Sequence, residues 1–389
     1  MKPESQPAGP RAILAERVFD GRCWHERAAV LLEGSRIRGI AGWDEVPADY
    51  AGETMPWGTI LAPGFIDLQV NGGGGTLLND TPTAEGMREI VKAHRRFGTT
   101  SCLPTLITDT SDKIAAAIDA ARSIAGHEGV LGLHIEGPFI NVARKGVHRP
   151  DLIAEAGPAD LELLSRLAAV GRSMVTLAPE CVPEGFVRTL AGKNIRVSVG
   201  HSEATAEQVS RATHDGLRGV THLFNAMPGL SSRLPGIAGA ALADDRLFAG
   251  LIVDGLHVDP VNVRAAFAAK GAERIALVSD AMPSVGSASP TFELMGRTIT
   301  LKDGRLTTED GTLAGAHLDM ASAVRNAVRL AGIPLEDALQ AAALTPATFL
   351  GIENERGRLA PGAYADMVAL TVTVDVIATW VEGDEERYQ

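Results

Sequence analysis

Four ionisable side chains, far apart in the chain, have the types that could share one metal ion and one proton. His201 closes the run VSVGH, His222 closes GVTH, Glu136 closes GLHIE and Asp280 closes IALVSD. Each run reads as a strand, so each side chain stands at a strand's carboxyl end. Two imidazoles and a carboxylate are a donor set used by catalytic zinc, with a position left open for water. A further carboxylate at the same mouth can orient that water and take its proton. Taken singly, a histidine at a strand end is more often a hydrogen-bonded packing residue, and an aspartate before a turn is an ordinary cap. The set acquires meaning only if the fold gathers the four strand ends.

Other candidates lie near these ends. KGVH places His148 in a loop after the strand that carries Glu136. FNAMPGLSSR places Asn225, Ala226 and Arg233 after His222, and VDGLH places His257 one strand further on. Arg233 and His257, with loop amides, could clamp a phosphate through charge-assisted bonds. Arg233 taken alone reads as a solvated loop residue. In PGFIDLQVNGGGG, Asp67, Gln69 and Asn71 alternate and so share one face. His134 shares a face with Glu136 and reads as a packed core residue.

The elements that must position these residues alternate. Strand-like runs at 64–70, 99–106, 130–136, 174–177, 196–201, 219–222, 249–253 and 275–279 are mostly followed by amphipathic stretches at 84–97, 111–125, 160–170, 184–192, 204–214 and 260–270. Alternation of this kind predicts an α/β fold, a (β/α)8 TIM-like barrel, whose carboxyl-end face carries the chemistry. Residues 292–313 read as a hairpin turning at Asp303 and Gly304, with helices at 318–332, 334–344 and 346–350. Short strands near both chain ends predict a small β-sandwich built from residues 1–62 and 354–389, beside a barrel of residues 63–353.

The bulk properties narrow the field. The chain has 389 residues, 45% of them hydrophobic, and a net charge of -12. That acidity argues against general nucleic-acid binding, and an anionic substrate would need a local cationic site. No apolar run has the length of a membrane span, and the first eleven residues are mostly polar, so we expect a soluble protein with no secretory signal and no membrane partner. Cys23, Cys102 and Cys181 are isolated and odd in number, which suits a reducing cytoplasm.

Read in order, PGFIDLQVNG, HIEGPF, KGVH, GHSEA, THLFNAM, DGLH and LVSDA resemble the N-acetylglucosamine-6-phosphate deacetylases of the amidohydrolase superfamily. LAG at 313–315 and LAPGAYADMVAL at 359–370 fit as well, and the resemblance runs from about residue 12 to 382. GHS, THLFNAM and DGLH are specific, whereas PGFID and PGAYAD mark the wider superfamily. The resemblance implies a metal on Glu136, His201 and His222, and Asp280 as proton acceptor and donor. It implies substrate contacts from Val147, His148, Asn225, Ala226, Arg233, Asp254, Gly255, Leu256, His257, Leu313, Ala314 and Gly315. It also implies a homodimer in which Arg233 reaches a neighbour's phosphate. Most metal-dependent members of the superfamily carry HxH on the first strand; here Gln69 and Asn71 stand there, and neutral amides are poor zinc ligands. One divalent ion per chain is therefore expected, zinc first, with iron or another divalent ion as alternatives. The expected reaction is hydrolysis of N-acetylglucosamine 6-phosphate to glucosamine 6-phosphate and acetate, with His148 supporting the oxyanion. The galactosamine isomer and a non-catalytic barrel scaffold are the rival readings, and a scaffold needs none of the four residues.

Overall fold

The four strand ends are gathered by one sheet. Eight parallel strands, β1 (Phe65–Val70), β2 (Thr99–Ile107), β3 (His134–Glu136), β4 (Met174–Leu177), β5 (Arg196–Val199), β6 (Gly219–Val220), β7 (Phe248–Leu251) and β8 (Ile275–Leu277), lie side by side in chain order. The structure, a computed structural model, describes residues 9–388; residues 1–8, most of the stretch expected to lack a secretory signal, lie outside them. β1 and β2 are buried along their whole length, as strands covered on both faces must be. The sheet closes just past its last strand. Asp280 N–H donates to Gln69 O at 3.0 Å, and Asn71 N–H donates to Ala281 O at 2.9 Å. The expected (β/α)8 barrel is the observed one.

Helices cover the outside because their apolar residues fall on one stripe. In Ala84–Arg95 the buried residues are Gly86, Met87, Ile90, Val91 and His94, and Thr83 caps the helix by accepting from Gly86 N–H. Ser111–Ile124 repeats the pattern, with Thr110 as its cap. One helix, Gly236–Ala243, was not anticipated from the sequence. It is built of Gly, Ile, Ala and Leu all round and has no side-chain cap, so no polar face marks its period.

Both chain ends contribute to a second sheet. Ile60–Pro63 pairs parallel with Arg11–Phe19 on one side and antiparallel with Met367–Leu370 on the other. The two expected halves of the small domain are thus one hydrogen-bonded sheet, folded on its own core around the buried Trp380, Ile13 and Leu32. The stretch after β8 is richer than the hairpin expected. It has three antiparallel strands, Thr291–Leu294, Arg297–Lys302 and Arg305–Thr307. The turn at Asp303 and Gly304 has φ of 51° and 75°, the left-handed pair a tight hairpin needs.

A candidate metal and hydrolase centre at the barrel mouth

The barrel strands stop before the residues that matter. β5 ends at Val199 and β6 at Val220, so His201 and His222 stand two residues beyond their ladders, and Asp280 stands three beyond β8. All three adopt left-handed backbone, with φ of 49°, 33° and 50°. Non-glycine residues hold such conformations only where their surroundings enforce them, and functional sites are where they gather. The turn ends each ladder early, which is why these strands are shorter than sequence periodicity suggested.

The three side chains expected to hold a metal converge. Glu136 Oε1 lies 3.1 Å from His201 Nε2 and 3.1 Å from His222 Nε2, and the two nitrogens are 3.0 Å apart. All three residues are buried. His201 Nδ1 sits 2.7 Å from the carbonyl oxygen of Arg144, which can only accept, so Nδ1 carries the proton. With Nδ1 so engaged, Nε2 is the ring nitrogen turned towards the Glu136 carboxylate and left to bind a metal. A carboxylate oxygen and two imidazole nitrogens gathered this closely are a donor set that suits a divalent cation between them. The site thus fits a divalent metal by its own donor chemistry. Glu136, His148 and His201 also offer one ligand atom each within 4.8 Å. That grouping is looser than the triangle with His222, which describes the metal site better.

Charges around the triangle are tuned by burial. Burial would raise the Glu136 carboxyl, but hydrogen bonds to His201 and His222 overcome it and hold the group well below the usual carboxylate range. Burial opposes protonation of His222, yet Glu136 beside it pushes its pKa up. Burial, then the Glu136 charge, pushes Asp280 up. Burial and then His201 push His148 down to about 3, so this imidazole is neutral. His134 is a satisfied core histidine, with Thr105 Oγ1 3.2 Å from Nδ1 and Thr176 Oγ1 2.8 Å from Nε2.

Gln69 and Asn71 have a role that their spacing did not disclose. Gln69 Nε2 donates to Glu136 Oε2 at 3.0 Å and to Asp280 Oδ1 at 3.1 Å, joining the two carboxylates. Asn71 Nδ2 donates to Asp280 Oδ1 at 2.6 Å. Two neutral donors thus occupy the place where the superfamily pattern has two histidines. Deeper in the barrel, Asp67 Oδ1 accepts from the backbone N–H groups of Gln69 and Ser279, each at 3.2 Å. Burial pushes Asp67 up to about 7.

A cavity opens over these groups. Val147, His148, Asn225, Ala226, His257, Leu313 and Gly315 line it together with Glu136, His201, His222, Asn71 and Asp280. His257 Nδ1 is 2.6 Å from Asp254 Oδ2, and Asp254 Oδ1 accepts from the N–H groups of Leu256 and His257 at 2.8 Å, so Asp254 fixes His257 rather than lining the cavity. Gly255 is exposed and Leu256 half-buried, beside that turn. Ala314, between the lining residues Leu313 and Gly315, is buried in the apolar cluster of Ile107 and Met282. Arg233 is the outlier. It is exposed, on a loop beside Leu230 and Leu234, and does not line the cavity of its own chain. Thr108 was missed from the sequence. Its Oγ1 lies 2.7 Å from His148 Nδ1, a contact between segments 40 residues apart that no local pattern announces.

The pattern of the Amidohydrolase family matches residues 60–385. The chain belongs to the amidohydrolase family. Among relatives, the N-acetylgalactosamine-6-phosphate deacetylase of Shewanella sp. (strain ANA-3) is 41% identical over 343 residues, covering 87% of this chain and 86% of the relative. The N-acetylglucosamine-6-phosphate deacetylase of Haemophilus influenzae is 38% identical, covering 91% and 93%. A crystal structure of N-acetylglucosamine-6-phosphate deacetylase from Pasteurella multocida superposes with a TM-score of 0.93 at 33% identity, covering 97% of this chain and all of that one. The amidohydrolase barrel and the mouth-side site described above are thus found in a chain similar to these deacetylases nearly end to end.

Proposed function

We propose that this amidohydrolase removes the acetyl group of N-acetylglucosamine 6-phosphate, releasing acetate and glucosamine 6-phosphate. The observation that carries the reading is the triangle of Glu136, His201 and His222, with Asp280 joined to it through Gln69. Those three residues would hold one divalent ion, zinc in our reading. Bound there, it supplies a Lewis acid for the acetyl carbonyl and makes water more acidic. Asp280, raised by burial yet held by Asn71 and Gln69, takes the proton of the attacking water and passes it to the departing amine. Thr108 Oγ1, 2.7 Å from His148 Nδ1, is placed to donate its hydroxyl proton to that nitrogen in our reading. Neutral His148 then carries its own proton on Nε2 and donates it to the developing oxyanion.

The sugar phosphate lies towards Asn225, Ala226 and His257, with Arg233 as its remote cation. Arg233 lies beside Leu230 and Leu234, which are 60% and 74% exposed, and this apolar loop supports a homodimer in which Arg233 serves the neighbouring site. We assign catalysis to a barrel of residues 63–353 and a supporting role to the terminal sheet, in a cytoplasmic enzyme. Among the described residues no helix is long and apolar enough to cross a membrane. Acetate release on a panel of phosphorylated and unphosphorylated N-acetyl sugars tests the reading; no turnover of any phosphorylated N-acetylhexosamine refutes it. The galactosamine isomer is a second reading, since relatives of both names stand at 41% and 38% identity. The ratio of kcat/KM for the two epimers separates them.

A further inference from the structure

Part of the cavity wall is apolar and unused by the reaction as described. Ile107 ends β2, and in the ladder it is the partner of Glu136. Met282 follows Asp280 by two residues. Both line the cavity, and both are nearly fully buried, at 3% and 2% exposure. They belong to one apolar cluster with Leu294, Ile299 and Leu306 of the three-stranded insertion.

This wall has little room to yield. Asn79 clamps the strand end on both sides: its Nδ2 donates to Ile107 O at 2.9 Å, and its Oδ1 accepts from Ile107 N–H at 3.2 Å. Met282 lies flat on Gly315, where a Cβ would come within 2.5 Å of its Cε. Met282 N–H donates to Ala316 O at 3.1 Å, so the segment carrying Gly315 is tied to the end of the barrel.

We infer that Ile107 and Met282 form the acyl pocket and limit the enzyme to short acyl groups. The inference rests on the deacetylase reading and concerns the same site. A secondary amide is planar and trans, so its two alkyl carbons lie at opposite ends. With the sugar over the loops after β6 and β7, the acyl methyl points across the barrel. In a closed eight-stranded barrel the position opposite β6 is β2, where Ile107 stands. A close-packed apolar wall rejects added methylenes because its side chains cannot retreat without leaving their packed positions.

The test is kcat/KM for glucosamine 6-phosphate carrying N-acetyl, N-propionyl and N-butyryl groups, in wild type and in Ile107→Ala, Met282→Ala and Ile107→Val. Ile252→Ala, on the cavity wall after β7, is the contrast. The wild type should prefer acetyl. Ile107→Ala should raise the butyryl-to-acetyl ratio, a difference of two methylenes, by about tenfold or more, since one methylene in an apolar pocket already counts for roughly tenfold. Ile107→Val, a change mild enough to leave the fold intact, should raise the propionyl-to-acetyl ratio severalfold. Ile252→Ala should leave both ratios as in wild type. Unchanged ratios in the folded Ile107 and Met282 variants, or an equal shift in Ile252→Ala, overturn the inference. Absence of activity on all three substrates in the metal-loaded wild type overturns the deacetylase reading instead.

Discussion

Removing the side chain of Asn71 should move the acid limb of the pH–rate profile upward. Asn71 Nδ2 donates to Asp280 Oδ1 at 2.6 Å, the shortest of the contacts made to that carboxylate by the two amides. The bond favours the charged form, so it holds the pKa of Asp280 down against burial and the Glu136 charge. A hydrogen bond to a charged group contributes about 1.5–3 kcal/mol. At 1.36 kcal/mol per unit, its loss corresponds to a rise of roughly one to two pKa units. Gln69 still donates at 3.1 Å and water can enter the space vacated, so the lower figure, about one unit, is expected for Asn71→Ala. A general base with a raised pKa stays protonated to higher pH, so activity is lost from the acid side. The assay is kcat/KM for acetate release from pH 5 to 9 in wild type and variant, with metal content checked in each. The acid limb should shift by about one unit, while the plateau falls far less. An acid limb in the same place, with metal bound, would show that Asn71 does not tune the base, or that Asp280 is not the base.

Other expected outcomes bear on the same site and on the core beneath it. Purified protein should hold about one divalent ion per chain, and His222→Ala should lose it; two tightly held ions would refute the single-metal site. Asp280→Asn keeps the shape but cannot take a proton, so it should retain metal and lose at least roughly 10²-fold in turnover; near-normal turnover would place the base elsewhere. Arg233→Ala should lower kcat/KM for the phosphorylated sugar by roughly ten- to a hundredfold and leave the unphosphorylated sugar almost unaffected, with equal losses counting against a phosphate role. Asp67 is fully buried with its pKa raised to about 7, so the native state loses stability as pH rises from the unfolded value through that point. Asp67→Asn should remove a pH-dependent difference of up to about 4 kcal/mol, read as urea-unfolding free energies converging at acid pH and diverging by pH 7.5.

Much of this architecture is legible because strand and helix periods alternate cleanly and the metal-type residues close apolar runs. Glu136, His201, His222 and Asp280 could each be located from the run that precedes it. What escaped depends on partners distant in the chain. Gln69 and Asn71 could be read as absent ligands, but not as donors to Glu136 and Asp280, because that pairing arises only when the barrel closes. Thr108 and Ile107 carried no signal at all; one is an ordinary hydroxyl after a strand, the other an ordinary core residue. The early ends of β5, β6 and β8 come from left-handed turns at His201, His222 and Asp280, which propensity argues against for such residues. The helix Gly236–Ala243 escaped because an apolar helix has no amphipathic period to detect.

The sheet made from both chain ends places a condition on biosynthesis. Arg11 pairs with Glu385, 374 residues later, and Ile60–Pro63 finds its antiparallel neighbour only in Met367–Leu370. Chains emerge from the ribosome N-terminus first, and domains tend to fold as units as they appear. This sheet cannot do so. Until the last strands are made, one edge of the fully buried, largely apolar Ile60–Pro63 strand lacks its partner, and an unpaired apolar edge invites pairing with another chain. A ribosome stalled before residue 367 would therefore display a barrel beside an open, adhesive strand.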